Sequence, residues 1–207
     1  QSRLSQNTMS NIAQQLLQVK KRIADAANLA GRAEAEIQLL AVSKTKPLAA
    51  IQAAYQAGQR RFGESYVQEA VTKVQTLRDA GFTDLEWHFI GPVQSNKTRP
   101  IAEHFDWVDS VDRLKIAERL NAQRPEELAP LNICIQVNIS GECQKSGTTE
   151  AEVLHLAEQI ADVPDIGHDG LDQGACLGGQ QARRPLARHL PDEARQTVGH
   201  GVEREQQ

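Results

Sequence analysis

Aromatic side chains are scarce in this sequence and unevenly spread. Four Phe, two Trp and two Tyr make up 4% of its 207 residues, and none lies beyond Trp107. Long apolar runs are also missing. None approaches the roughly 20 residues needed to span a bilayer, and the polar amino terminus has no signal-peptide pattern. No membrane partner is expected. Charge of one sign is not in excess either: 23 Lys and Arg face 27 Asp and Glu, for a formal net charge of −4. A nucleic-acid surface needs a basic excess, so none is expected. Cysteine occurs three times, at Cys134, Cys143 and Cys176. These have no metal-ligand spacing and cannot all pair, which fits a reduced, cytoplasmic setting. The one methionine is Met9. The polar residues 1–8 before it are read as an extension outside the fold. No glycine-rich phosphate loop of the Rossmann or Walker kind follows any apolar run.

What is present is an alternation. Apolar residues at Ile12, Leu16, Val19, Ile23 and Ala26 mark a helix from Ser10 to about Ala30, with Gly31 at its end. A strand is expected over 37–43, then a helix from Pro47 to Ala57 stopped by Gly58. Residues 59–64 read as a second strand. The stripe Val67, Ala70, Val71, Val74, Leu77 reads as the next helix, ended by Gly81. Strands are expected at 85–90, 106–111 and 131–139, with helices over 95–104 and from Leu114 between them. Thr149 and Glu152 fit a capping box before a helix carrying Val153, Leu156, Ala157 and Ile160. Strand–helix alternation with short loops means βαβ units and a parallel sheet. Without a phosphate loop, a (β/α)8 barrel is favoured over a doubly wound sheet. Five strands are legible, so the barrel is read as incomplete.

The alternation stops near Asp165. Residues 166–207 carry no aromatic residue, and their longest apolar run is Ala175-Cys176-Leu177. Such a tail cannot bury enough apolar surface to offset its ordering entropy. A short polar helix over 188–195 is the most it promises. The domain reading is therefore an extension over 1–8, a partial barrel over 9–165 and a polar tail over 166–207.

Within this frame one residue invites chemistry. Ile37-Gln38-Leu39-Leu40-Ala41-Val42-Ser43 ends on Lys44, at the carboxyl end of a strand, where α/β folds place their sites. If Lys44 points into the fold, burial lowers its pKa, and a neutral amine can form a Schiff base with an aldehyde. Other polar residues have plainer readings. Lys46, Asn96 and Lys97 are expected to be solvated, His88 to be a hydrogen-bonded core histidine, and Cys134 to be a small buried residue. Asn138 and Ser140 close the fifth strand and could line the mouth of the barrel.

Four segments appear in order: Leu39-Leu40-Ala41-Val42-Ser43-Lys44-Thr45-Lys46-Pro47; Phe62-Gly63-Glu64-Ser65-Tyr66-Val67-Gln68-Glu69; Trp87-His88-Phe89-Ile90-Gly91-Pro92-Val93-Gln94-Ser95-Asn96-Lys97; and Gln136-Val137-Asn138-Ile139-Ser140 through Lys145-Ser146-Gly147. Together they resemble the pyridoxal phosphate homeostasis protein family, relatives of the barrel domain of alanine racemase. The resemblance runs from about Met9 to Asp165. It implies a barrel of that kind, with pyridoxal 5′-phosphate (PLP) held as a Schiff base on Lys44. It implies a role in intracellular PLP homeostasis without firm catalytic turnover, a monomer, and PLP and amino acids as partners. Two departures stand out. Ser65 replaces the family's usual Asn and loses its paired donor and acceptor. The family's later Gly-Leu-Met, Ser-x-Gly-Met-Ser and Arg-Ile-Gly segments, which cradle the phosphate and meet the ring nitrogen, are absent from residues 166–207. A shifted reading frame or a divergent tail accounts for that. The competing readings are a racemase-like enzyme, for which no second base or second domain is found, and a truncated product that cannot retain PLP.

Overall fold

Helices alternate with short parallel strands through the part of the chain that the computed structural model describes: residues 2–142, 144–164 and 166–167. The expected polar tail lies almost wholly outside the described residues. The chain divides into two compact units, Gln1–His88 and Phe89–Gln207.

In the first unit, α1 spans Ser2–Leu29. It starts well before the expected Ser10, because no Gly or Pro interrupts residues 2–9 and the helix simply continues. Gly31, at φ +64, closes it. Strand β1 is only Ala41–Val42, although a longer strand was expected. Among the described residues it is an edge strand whose partner is β2 (Arg61–Glu64), pairing Ala41 with Phe62 and Val42 with Gly63 in parallel. Helix α2 (Leu48–Gln56) follows Pro47, and α3 (Val67–Asp79) follows β2. Gly58 and Gly81 end these helices with positive φ, as their sequence positions promised. Strand β3 is Glu86–Phe89. Alternation gives the sheet two faces. Phe62 and Trp87 pack together on one, with ring centroids 5.8 Å apart, alongside the buried Ala70, Val74 and Leu77 of α3. Arg61, Glu86 and His88 lie on the other.

The second unit continues the pattern. A one-turn 3-10 helix (Ser95–Lys97) leads into α4 (Thr98–His104). Strand β4 (Trp107–Val111), helix α5 (Leu114–Gln123) and strand β5 (Leu131–Ile135) follow. Phe89 meets Phe105 edge to face at 5.3 Å. Ile101, Val108, Ile116, Leu120 and Leu131 are fully buried. Helix α6 covers Val153–Ala161. The expected capping box does not form there. Thr149 Oγ1 donates to the Glu152 carboxylate at 2.7 Å instead of capping backbone, so the helix begins later. A sixth strand, β6 (Ile166–Gly167), pairs in parallel with β5, one element more than the five legible in the sequence.

Candidate functional site

The site is built on the turn after β1. Ser43 extends the ladder by one bond, its N–H donating to the Gly63 carbonyl at 2.9 Å. Lys46 N–H then donates back to the Ser43 carbonyl at 3.0 Å, which places Lys44 and Thr45 at the centre of a tight turn. Thr45 has φ +61, the only non-glycine with positive φ among the described residues. A β-branched residue in the left-handed region costs about 1–2 kcal/mol, so something outside the turn must hold it.

That support comes from β2 and α3. Ser43 Oγ donates to Glu64 Oε1 at 2.6 Å. Thr45 N–H donates to Glu69 Oε1 at 2.8 Å. Between them lies a buried ammonium. Lys73 Nζ donates to the Ser43 carbonyl at 2.8 Å and to Glu64 Oε1 at 2.9 Å, and lies 2.6 Å from Glu69 Oε1. An ammonium has three protons, and each finds an acceptor. The Lys73 side chain is 8% exposed and that of Glu64 is fully buried. A buried ammonium of this kind survives only with such complete hydrogen bonding. The other carboxylate oxygen, Glu64 Oε2, is buried without a hydrogen-bond partner among the described residues. The Lys73 ammonium beside Glu69 holds that carboxyl below its usual range. Partial burial opposes the shift, and the Thr45 N–H assists it.

Lys44 itself is exposed. The condition that it points into the fold is therefore not met, and the burial argument falls with it. The reason is local. Lys44 lies in the turn beyond an edge strand, next to Val42, which is 52% exposed. Its amine makes no hydrogen bond or ion pair among the described residues. The result is a pinned backbone carrying an uncommitted amine.

On the other sheet face, Glu86 Oε1 takes Arg61 Nε at 2.6 Å and His88 Nε2 at 3.0 Å. His88 is a buried, hydrogen-bonded residue, as expected. The His88 contact, and then the Arg61 charge, keep the Glu86 carboxyl low against the effect of burial. Lys46, Asn96 and Lys97 are exposed. Cys134 is a small buried residue, as expected. Asn138 and Ser140 organise their own loop: Asn138 Nδ2 donates to the carbonyls of Glu142 (2.9 Å) and Lys145 (3.3 Å), and Ser140 Oγ donates to Asn138 Oδ1 (3.2 Å). Sequence reasoning missed Glu64, Glu69 and Lys73. A signal for Lys73 existed, since it sits inside the Ala70, Val74, Leu77 stripe where solvated lysines do not belong.

The family model for the alanine racemase N-terminal domain matches residues 15–173. The pyridoxal phosphate homeostasis protein of Escherichia coli K12 is 56% identical over 163 residues, which are 79% of this chain and 70% of that one. The protein of that name from Pseudomonas aeruginosa shows the same identity and coverage. PipY of Synechococcus elongatus, solved with PLP bound, is 34% identical with a TM-score of 0.66, covering 86% of this chain and 84% of its own. The fold class is thereby α/β, of the TIM-barrel kind found in the alanine racemase N-terminal domain.

Proposed function

The chain belongs to the alanine racemase N-terminal-domain family, among the pyridoxal phosphate homeostasis proteins, and from that premise we propose that it binds PLP covalently through Lys44 and serves PLP homeostasis without catalytic turnover. The motif resemblance is borne out by these relatives. The observation that carries the site assignment is the Lys44 turn: an exposed amine without a partner among the described residues, on a backbone tied on both sides.

When bound, the cofactor supplies an aldehyde. Lys44 Nζ would be the group that holds it, through a covalent link to that aldehyde. Lys73 cannot substitute for it, because its three donors are all committed. The donor set therefore fits the covalent half of a PLP site. The segments with which the family cradles the phosphate and meets the ring nitrogen are absent from residues 166–207, which lie almost wholly outside the described residues. The proposed form is a cytoplasmic monomer. Among the described residues no helix is long and apolar enough to cross a membrane.

The test is direct. PLP added to the purified chain gives a visible band for the cofactor–lysine link, and Lys44→Ala loses it. A band that persists in Lys44→Ala refutes the lysine assignment. An amino acid racemised at a useful rate refutes the non-catalytic half. No band in either protein leaves the truncated product standing in place of a carrier.

A further inference from the structure

Lys44 lies between two peptide units that are both tied to α3. Upstream, the Ser43 carbonyl accepts from Lys73 Nζ at 2.8 Å. Downstream, the Thr45 N–H donates to Glu69 Oε1 at 2.8 Å. The two tethers join, since Lys73 Nζ lies 2.6 Å from the same Glu69 oxygen, one helical turn away. We propose that Glu69 and Lys73 are positioning residues for Lys44: together they clamp its turn, so that a free amine is presented from a fixed base. This deepens the reading of Lys44 as the cofactor lysine and rests on it.

Three observations carry the clamp. First, the turn opposes its own local preference, because Thr45 holds φ +61 and a β-branched residue avoids that region. Its internal bond, Lys46 N–H to the Ser43 carbonyl, closes the turn around Lys44 and Thr45 but leaves the Thr45 N–H to be taken from outside, by Glu69. Second, the tethers converge from a rigid element. Glu69 stands in the first turn of α3, where a carboxylate also meets the positive end of the helix dipole. Third, the buried ammonium is fully committed to this turn and its neighbours, Glu64 and Glu69 being its two acidic partners. The functional gain is orientation. A wandering turn spreads the amine over a larger volume and lowers its effective concentration at the aldehyde.

Glu69 is the residue to change, because its side chain is 34% exposed and its loss spares the core. Glu69→Ala removes the acceptor, whereas Glu69→Gln keeps a side-chain carbonyl for Thr45. In the full chain without PLP, residue-resolved amide exchange at Thr45 is expected to quicken about tenfold in Glu69→Ala, the upper range of one net hydrogen bond. It stays near the parent rate in Glu69→Gln, and amides of α2 and β2 do not change in either. Titrated with PLP, Glu69→Ala is expected to form the Lys44-dependent band with an apparent affinity several-fold weaker, of the same order as one lost hydrogen bond, and Glu69→Gln to recover it. Unchanged Thr45 exchange in Glu69→Ala overturns the clamp. Faster exchange with unchanged affinity overturns the positioning role. A parent that forms no band overturns the cofactor reading itself, a result separate from any effect of Glu69.

Discussion

Two loops leave the carboxyl ends of parallel strands in this molecule, and both carry a lysine. The turn after β1 holds Lys44. The loop beyond β5 holds Lys145. They are fixed by opposite means. Around Lys44, charged groups from α3 and β2 bind the backbone, and the amine is uncommitted. Around Lys145, one neutral amide, Asn138, binds backbone carbonyls, while the lysine amine pairs with Glu142 at 2.7 Å on the surface. A nucleophile needs the first arrangement, in which the protein spends its polar contacts on the peptide and leaves the side chain available. The second yields an ordered loop whose lysine is already occupied.

The sharpest way to break this comparison is to remove the buried cation. Lys73→Met leaves the fully buried Glu64 without its counter-charge. Losing one partner of such a pair costs about 3–5 kcal/mol, read as a fall in the chemical denaturation midpoint. The double variant Lys73→Met/Glu64→Gln should regain most of that loss, because no orphan charge remains. Lys145→Met, at the exposed pair, should leave the midpoint where it was. If Lys73→Met proves as mild as Lys145→Met, the two loops do not differ as described.

A smaller effect is expected in the second loop. Gly147 has φ +130, and a Cβ there would lie 2.7 Å from Asn138 N and 3.0 Å from Val137 C. Gly147→Ala therefore forces the backbone apart and should cost about 1–3 kcal/mol. The same measurement checks it, with the Lys44 turn unaffected.

The smallest effect is in pH. The folded-state pKa of Glu69 is depressed, with the Lys73 contact as the leading cause. Such a carboxylate adds stability above its unfolded value, about pH 4.3, and loses it as pH falls through the lower folded value. Parent and Glu69→Gln should thus differ in stability near neutrality and converge in acid, below that window. A constant difference at every pH would mean that the Glu69 charge plays no part in the tether.

Much of this architecture was legible in the residues. Helices α3 and α5 follow from their apolar spacing and α2 from Pro47 and Gly58, and Gly58 and Gly81 mark the ends of α2 and α3 by the positive φ they adopt. These signals are local, so a single sequence carries them. Strand β1 was overestimated because the run from Ile37 to Leu40 is apolar, yet pairing begins only at Ala41. The start of α6 was misplaced because Thr149 and Glu152 bonded each other. In the candidate site, Lys44 could be named from its place at a strand end and from its motif. Its supports could not, since Glu64, Glu69 and Lys73 act through contacts that only the folded chain creates. Exposure of Lys44 was also invisible, because it depends on what covers an edge strand.

Ser43 shows what this arrangement asks of the folding chain. Its hydroxyl bonds a residue 21 positions away, its carbonyl one 30 positions away, and the next peptide's N–H one 24 positions away. The turn is therefore not a local motif that forms as soon as its own residues are made. A growing chain that has passed Lys44 but not yet built α3 owns the lysine without the turn. Loops of this length must close before their contacts form, so the reactive residue reaches its final geometry only when the first two strands and α3 have already come together.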